Sequence, residues 1–372
     1  MQLNYGLREY SRLELVSRWD EIDMLLKVEN KTIKLMKPHI TPQYGYRTVL
    51  SNSTFEYVSL WLRSQTGKKY KDASFLWKQA KYFYEASLKL PIEAKPLTAY
   101  YSIMNATKAL LAIKGKNVVK IGHGVSSPRQ NLRGNIRQDA IIYGATGVLC
   151  GLSEHLGESM VKQSYCVFDL LYNLPCVHRT FTITYNDMTE LFVPVSNVNF
   201  ELTNLADVTR RKAYIRFDMD SKYDNYHTRR YLNHNIEYTQ PPNGPSFYRI
   251  KKRVRWNIHT PIKDRMSDLV KYHRKYRNLF YYIQGSSMLW YIKKVLPTNA
   301  HIIDRHSMTI IYGVMHWLSE LVRYSPETFN SIMSSRQNWL IREFIDMGLP
   351  QFIDEISSEI TGANIMLPGY RK

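Results

Sequence analysis

Cations and aromatic rings crowd one stretch of this sequence. Between residues 207 and 277 there are 18 Lys and Arg against 7 Asp and Glu. Tyr214, Tyr223, Tyr231, Tyr248, Trp256, Tyr272 and other rings are interleaved with them. Cations hold phosphates and rings stack on bases, which is the combination that single-stranded nucleic acid needs. Lys251, Arg253 and Arg255 alternate along a strand-like run that ends in Trp256, so a period of two places three cations on one face. No acidic residue lies between Glu237 and Asp264 to offset them. Arg229 and Arg230 precede this run, and Arg274, Lys275 and Arg277 follow it in a helical pattern. These nine residues are the candidate nucleic-acid contacts. The competing reading is an ordinary strand alternation, with rings facing a core and charges facing water.

Other residue groupings carry less chemistry. There is no phosphate-binding glycine loop, dinucleotide fingerprint, HExxH, GxSxG or paired CxxC, so no cofactor is expected. His301, Asp304 and His306 cluster before a helical stretch, but their spacing spreads them over different helical faces, and no metal site is expected. His123 lies between Gly122 and Gly124, where the backbone could approach a ligand closely or the ring could pack on a helix end. Cys150, Cys166 and Cys176 are odd in number and read as reduced thiols.

The elements that must position these residues follow from periodicity. Helices are expected at 53–64, 72–90 and 97–114, the last entered at Pro96 and left at Gly115. A short helix is expected around 11–27, a loop over much of 116–150, and a short helix before Pro175. RTFTITY, TELFVPV, VNFEL, KAYIRFDM and FYRIKKRVRWNIH read as strands, because β-branched and aromatic residues alternate with polar ones. From Ser267 to Val295 the pattern reads as helical again, with a break near Gly285, and helices at 301–323, 328–346 and 350–360 close the chain. The expected fold is α+β, a mainly α-helical body with an inserted antiparallel β-rich basic region. Its limits read as 1–150, 151–262 and 263–372.

Composition agrees with a folded, polyanion-seeking protein. The 372 residues are 44% hydrophobic, ample for a core, and the formal net charge is +19. No run of about 18 uncharged apolar residues exists, so no membrane span is expected. The first thirty residues carry charges throughout, so no secretory leader is expected, and a cytoplasmic location follows.

Residues 96–125, PLTAYYSIMNATKALLAIKGKNVVKIGHGV, resemble the YYAxxxAxKALLxxKG…HxG segment of HEPN-type helical domains. FDLLYNLP at 168–175 and WLSELVRYSP at 317–326 extend that resemblance to the YaaC-like family of bacterial proteins, which joins such a segment to a late LSxxxRYxP motif. The resemblance implies a HEPN-like helical body. It also implies either a metal-independent ribonuclease, with Arg and His four to six residues apart on one helix, or a non-catalytic module that binds nucleotides, RNA or proteins. Arg229…His234 and Arg253…His259 have that spacing but fall in the strand-like middle, so no catalytic residue is assigned. The leading expectation is a nucleic-acid-binding protein (RNA or DNA) in a bacterial antiviral defence system. The alternatives are a HEPN-type ribonuclease and a scaffold that docks a partner protein in a multi-component system. A homodimer is compatible with each.

Overall fold

The computed structural model describes residues 25–45, 48–116, 121–128, 133–203, 207, 209–241, 245–285, 288–296 and 301–368. In chain order the first elements are β1 (Lys27–Val28), β2 (Lys31–Thr32), β3 (Val49–Leu50), α1 (Thr54–Ser64), α2 (Lys68–Lys89) and α3 (Lys95–Ile113). Next come β4 (Val125–Ser126), β5 (Ala140–Tyr143), α4 (Val148–Leu156), β6 (Gln163–Cys166), α5 (Val167–Tyr172) and α6 (His178–Thr184). The middle holds β7 (Phe192–Thr203), β8 (Lys212–Met219), α7 (Tyr226–Arg230), β9 (Ile236–Thr239), β10 (Phe247–Ile250), β11 (Val254–Arg255) and α8 (Ile262–Tyr276). Last are β12 (Phe280–Ile283), β13 (Leu289–Lys293), α9 (Ser307–Tyr324), α10 (Pro326–Met333), α11 (Asn338–Thr361) and β14 (Ile365–Met366). The protein is thus mixed α and β, and its antiparallel pairing lies largely in the middle of the chain.

The chain divides into two compact units. The larger comprises 36–195, 220–233 and 276–372. Its centre is α3, which packs on α2, α9 and α11. Apolar residues surround α9, and every residue from Ser307 to Leu321 is buried, as expected of a helix that is hydrophobic all round. On α3, Met104 and Leu111 are buried, while Tyr101 is only half-buried. Ser53 caps α1, its hydroxyl accepting from the Glu56 amide at 3.3 Å, the S-x-x-E start signal. In this unit β4, β5 and β6 form one antiparallel sheet, and β12, β13 and the first residues of β7 form another ladder.

The smaller unit comprises 1–35, 196–219 and 234–275. It takes the rest of β7 with β8, β10 and β9 in that order, with β11 also on β8 and the β1–β2 hairpin alongside. Its core includes Phe200, Tyr214, Phe217, Tyr248, Trp256 and Tyr272. Among its described residues stand 17 Lys and Arg against 7 Asp and Glu, so the excess charge seen in the sequence collects on this unit.

Four expectations are corrected. RTFTITY is helix α6, not a strand: Phe181 is buried against Phe168 and Tyr185, and Thr182 and Thr184 return their hydroxyls to the carbonyls four residues back. Tertiary packing outweighs β propensity there. The helical reading of 267–295 fails after Tyr276, because β12 and β13 pair in register and bury alternate rings. The expected strand over 247–259 breaks into β10 and β11 around a bend at 251–253. The two helices expected at 328–346 and 350–360 are α10 and a single α11 that runs through Pro350. The helix expected at 11–27 falls mostly outside the described residues, and Lys27 is extended.

Candidate functional site

The bend that breaks the strand decides the geometry of the basic run. Lys251, Lys252, Arg253 and Arg255 are all exposed, so alternation does not sort them by face. Among the described residues none of these four side chains joins an ion pair. Arg255 lies directly opposite Lys212 in the β8–β11 ladder. Like charges in that position repel and weaken the pairing. The neighbouring cations of the same unit are treated differently. Arg249 is bonded to Glu237 at 2.5 Å, and Arg216 to Glu201 at 2.8 Å. The sheet therefore neutralises its inner arginines and leaves the 251–255 edge uncompensated.

The other predicted residues separate. Arg274 and Lys275 are exposed in the last turn of α8, where cations also favour the helix dipole. Arg229 and Arg230 belong to the larger unit, where Arg229 pairs with Asp224 at 2.7 Å and Arg230 lies over Tyr231. Trp256 is 5% exposed, under the guanidinium of Arg265, and offers no face for a base. Arg277 is 1% exposed. Its guanidinium donates to the backbone carbonyls of Met36, Lys37 and Phe280, so it ties the chain together and is not available to a phosphate. His301, Asp304 and His306 also part: His301 bonds Asp169 at 2.6 Å, Asp304 is exposed, and His306 meets His39 edge-on.

The larger unit holds a second cluster, centred on His123. Gly124 (φ +76°) and Gly147 (φ +106°) adopt backbone conformations that favour glycine. They also touch: a Cβ on Gly147 would lie 2.4 Å from the Gly124 backbone. The amides that open α4 donate to this loop, Val148 to the Gly122 carbonyl at 2.9 Å and Leu149 to that of His123 at 3.1 Å. This double-glycine crossing fixes an exposed histidine against two helices.

Tyr100 of α3 is hydrogen-bonded to His123 Nδ1 and stacks on its ring with centroids 5.6 Å apart. Tyr312 of α9 donates its hydroxyl to the His123 carbonyl at 3.3 Å and is hydrogen-bonded to Tyr100. With Tyr312 donating to the carbonyl, Tyr100 must donate to Tyr312 and accept from Nδ1–H. That order leaves Nε2 as the unprotonated nitrogen of the neutral ring. Burial lowers the His123 pKa, and the charges of Lys108 and Arg323 lower it further against an opposing pull from Glu320. Beneath lies His316, whose ring is 5.0 Å from that of Tyr100 and whose Nδ1 is 3.6 Å from Glu320 Oε2. The Ser127 amide donates to the same Glu320 oxygen at 3.2 Å. The set can hold an anion and exchange a proton at its rim.

Sequence reasoning singled out only His123 of this cluster. The missed signal was a polar stripe: Tyr312, His316, Glu320 and Arg323 recur at spacings of four, four and three along an otherwise apolar helix. His316 and Arg323 are seven residues apart, so the four-to-six spacing of the HEPN ribonucleases is absent from α9. Among the described residues no helix is long and apolar enough to cross a membrane.

No curated protein and no solved structure matches the chain. The family model for the YaaC-like protein matches residues 46–360. That span contains all eleven helices, the basic edge and the His123 cluster, so the sequence resemblance extends over the whole architecture. The chain belongs to the YaaC-like protein family.

Proposed function

We propose that this protein binds nucleic acid, RNA or DNA, through the basic edge of its smaller unit. The observation that carries the reading is Arg255 set opposite Lys212, beside Lys251, Lys252 and Arg253, with no carboxylate paired to those four cations of the 251–255 edge. A sheet edge gains nothing in stability from that arrangement, whereas a polyanion lying along it would relieve the repulsion and release its own counterions. The phosphate-contacting set is Lys251, Arg253 and Arg255, with Arg274 and Lys275 in the same unit. In this reading the α3–α9 body is HEPN-like and the protein acts in the cytoplasm, within a bacterial antiviral defence system whose other components supply a protein partner.

The test is fluorescence anisotropy with labelled single-stranded RNA, single-stranded DNA and duplex DNA at several salt concentrations. Binding whose logarithm falls linearly with the logarithm of salt supports the reading. Absence of binding to all three at low salt would leave the scaffold alternative.

A further inference from the structure

We propose that Lys108, His123 and Arg323 form a binding site for a phosphate monoester dianion. It lies in the larger unit, shares no residue with the basic edge, and goes beyond the nucleic-acid reading.

Three donors of different kinds meet at one open surface. Lys108 continues the half-exposed stripe of α3 that starts at Tyr101 and Asn105. Among the described residues its ammonium has neither hydrogen bond nor ion pair, and burial lowers its pKa. Arg323, exposed in the last turn of α9, keeps one bond to the Tyr324 hydroxyl at 2.6 Å and has further N–H donors to offer. His123 is exposed, and both cations are close enough to act on its charge.

The charge balance specifies the ligand. Facing His123 are Lys108, Tyr100 and Tyr101 from α3, and Tyr312, His316, Glu320 and Arg323 from α9. Only Glu320 is acidic, and the Ser127 amide already holds it. Lys108 and Arg323 therefore disfavour protonation of His123 until an anion arrives. A dianion reverses that field: Nε2 takes up a proton and donates it in a hydrogen bond to the ligand. The Tyr100–Tyr312 relay holds Nδ1–H and keeps Nε2 outward in both states. Three positive groups against Glu320 suit a ligand of charge two, which a phosphate monoester carries and an internal phosphodiester does not. The same chemistry occurs on a free nucleotide and on the 5′ end of a strand.

The test follows the His123 imidazole by NMR, its resonance assigned by comparison with His123→Gln. Wild-type protein is titrated from pH 5.5 to 8.5 at constant ionic strength with inorganic phosphate, AMP, adenosine, and 5′-phosphorylated and 5′-hydroxyl oligonucleotides. Phosphate and AMP should raise the His123 midpoint by about one pH unit, equivalent to about tenfold tighter binding to the protonated ring. Adenosine should leave it unmoved. Lys108→Met and Arg323→Met should each abolish the shift, with thermal melting as the check on folding. A response to the 5′-phosphorylated but not the 5′-hydroxyl strand supports a strand end as the source, and a response to AMP alone supports a free nucleotide. An unmoved midpoint with every phosphate, or an undiminished shift in both variants, would overturn the assignment.

Discussion

Glu355→Gln should stabilise this protein at alkaline pH. Glu355 lies on α11 with 6% of its surface exposed, accepting one hydrogen bond from Gln351 Nε2 at 2.7 Å. Burial pushes its pKa up to about 7, opposed by the Gln351 bond and by Arg277 and Lys37, while Asp354 adds to the rise. The ordinary value is 4.5, and an acid whose folded pKa is raised binds more protons in the native state than in the unfolded one. Stability then falls as pH rises from the unfolded value to the folded one, and levels off above it. At 1.36 kcal/mol per unit, that span is a penalty of about 3 kcal/mol at pH 8. At pH 5 it is under about 1 kcal/mol. Gln has the same shape, can still accept from Gln351 and never ionises. Urea unfolding of wild type and variant at pH 5 and pH 8 measures the difference. Near equality at pH 5 and a variant more stable by about 2–3 kcal/mol at pH 8 is the expected result. A variant less stable at pH 8 would refute the reasoning and mean that a charged Glu355 is held by its neighbours.

Three further perturbations probe the larger unit. Leu111→Ala empties a fully buried position on α3 against Gly151 and should cost ~2–5 kcal/mol in urea unfolding. Glu158→Gln takes the carboxylate from Arg305, bonded at 2.9 Å with both side chains buried, and should cost ~3–5 kcal/mol because a buried guanidinium loses its counter-charge. Gly147→Ala combines a positive φ with a Cβ against the Gly124 backbone. It should lower stability by at least ~2 kcal/mol and shift the His123 resonance, since the crossing loop must move. An unchanged spectrum and melt would show that the loop does not depend on that contact.

The sequence disclosed those elements whose signals are local. Pro96 and Gly115 bound α3, and Ser53 with Glu56 starts α1, because caps act within one turn. It misled where distant packing decides. The aromatic run of β12 and β13 looks helical until Tyr281 is seen opposite Tyr291. The β-branched run of α6 looks extended until Phe181 is seen between Phe168 and Tyr185. The basic run was legible as charge but not as geometry, since a three-residue bend changes which side chains share a face. Arg277 illustrates the remaining difficulty: among eighteen cations in 207–277, nothing local marks the one that holds three backbone carbonyls in the core. The His123 cluster was hidden because its parts lie on α3, a glycine loop and α9, some two hundred residues apart.

The most direct test of the central claim is the salt dependence of nucleic-acid binding by the Lys251→Gln, Arg253→Gln, Arg255→Gln triple variant beside wild type. All three side chains are exposed and unpaired, so folding stability should barely change. Wild type should bind RNA or DNA with a steep log–log salt slope, and the variant should bind more weakly with a slope reduced by roughly 2–3 units, near one per lost phosphate contact. A variant with wild-type affinity and slope at every salt concentration would contradict the account.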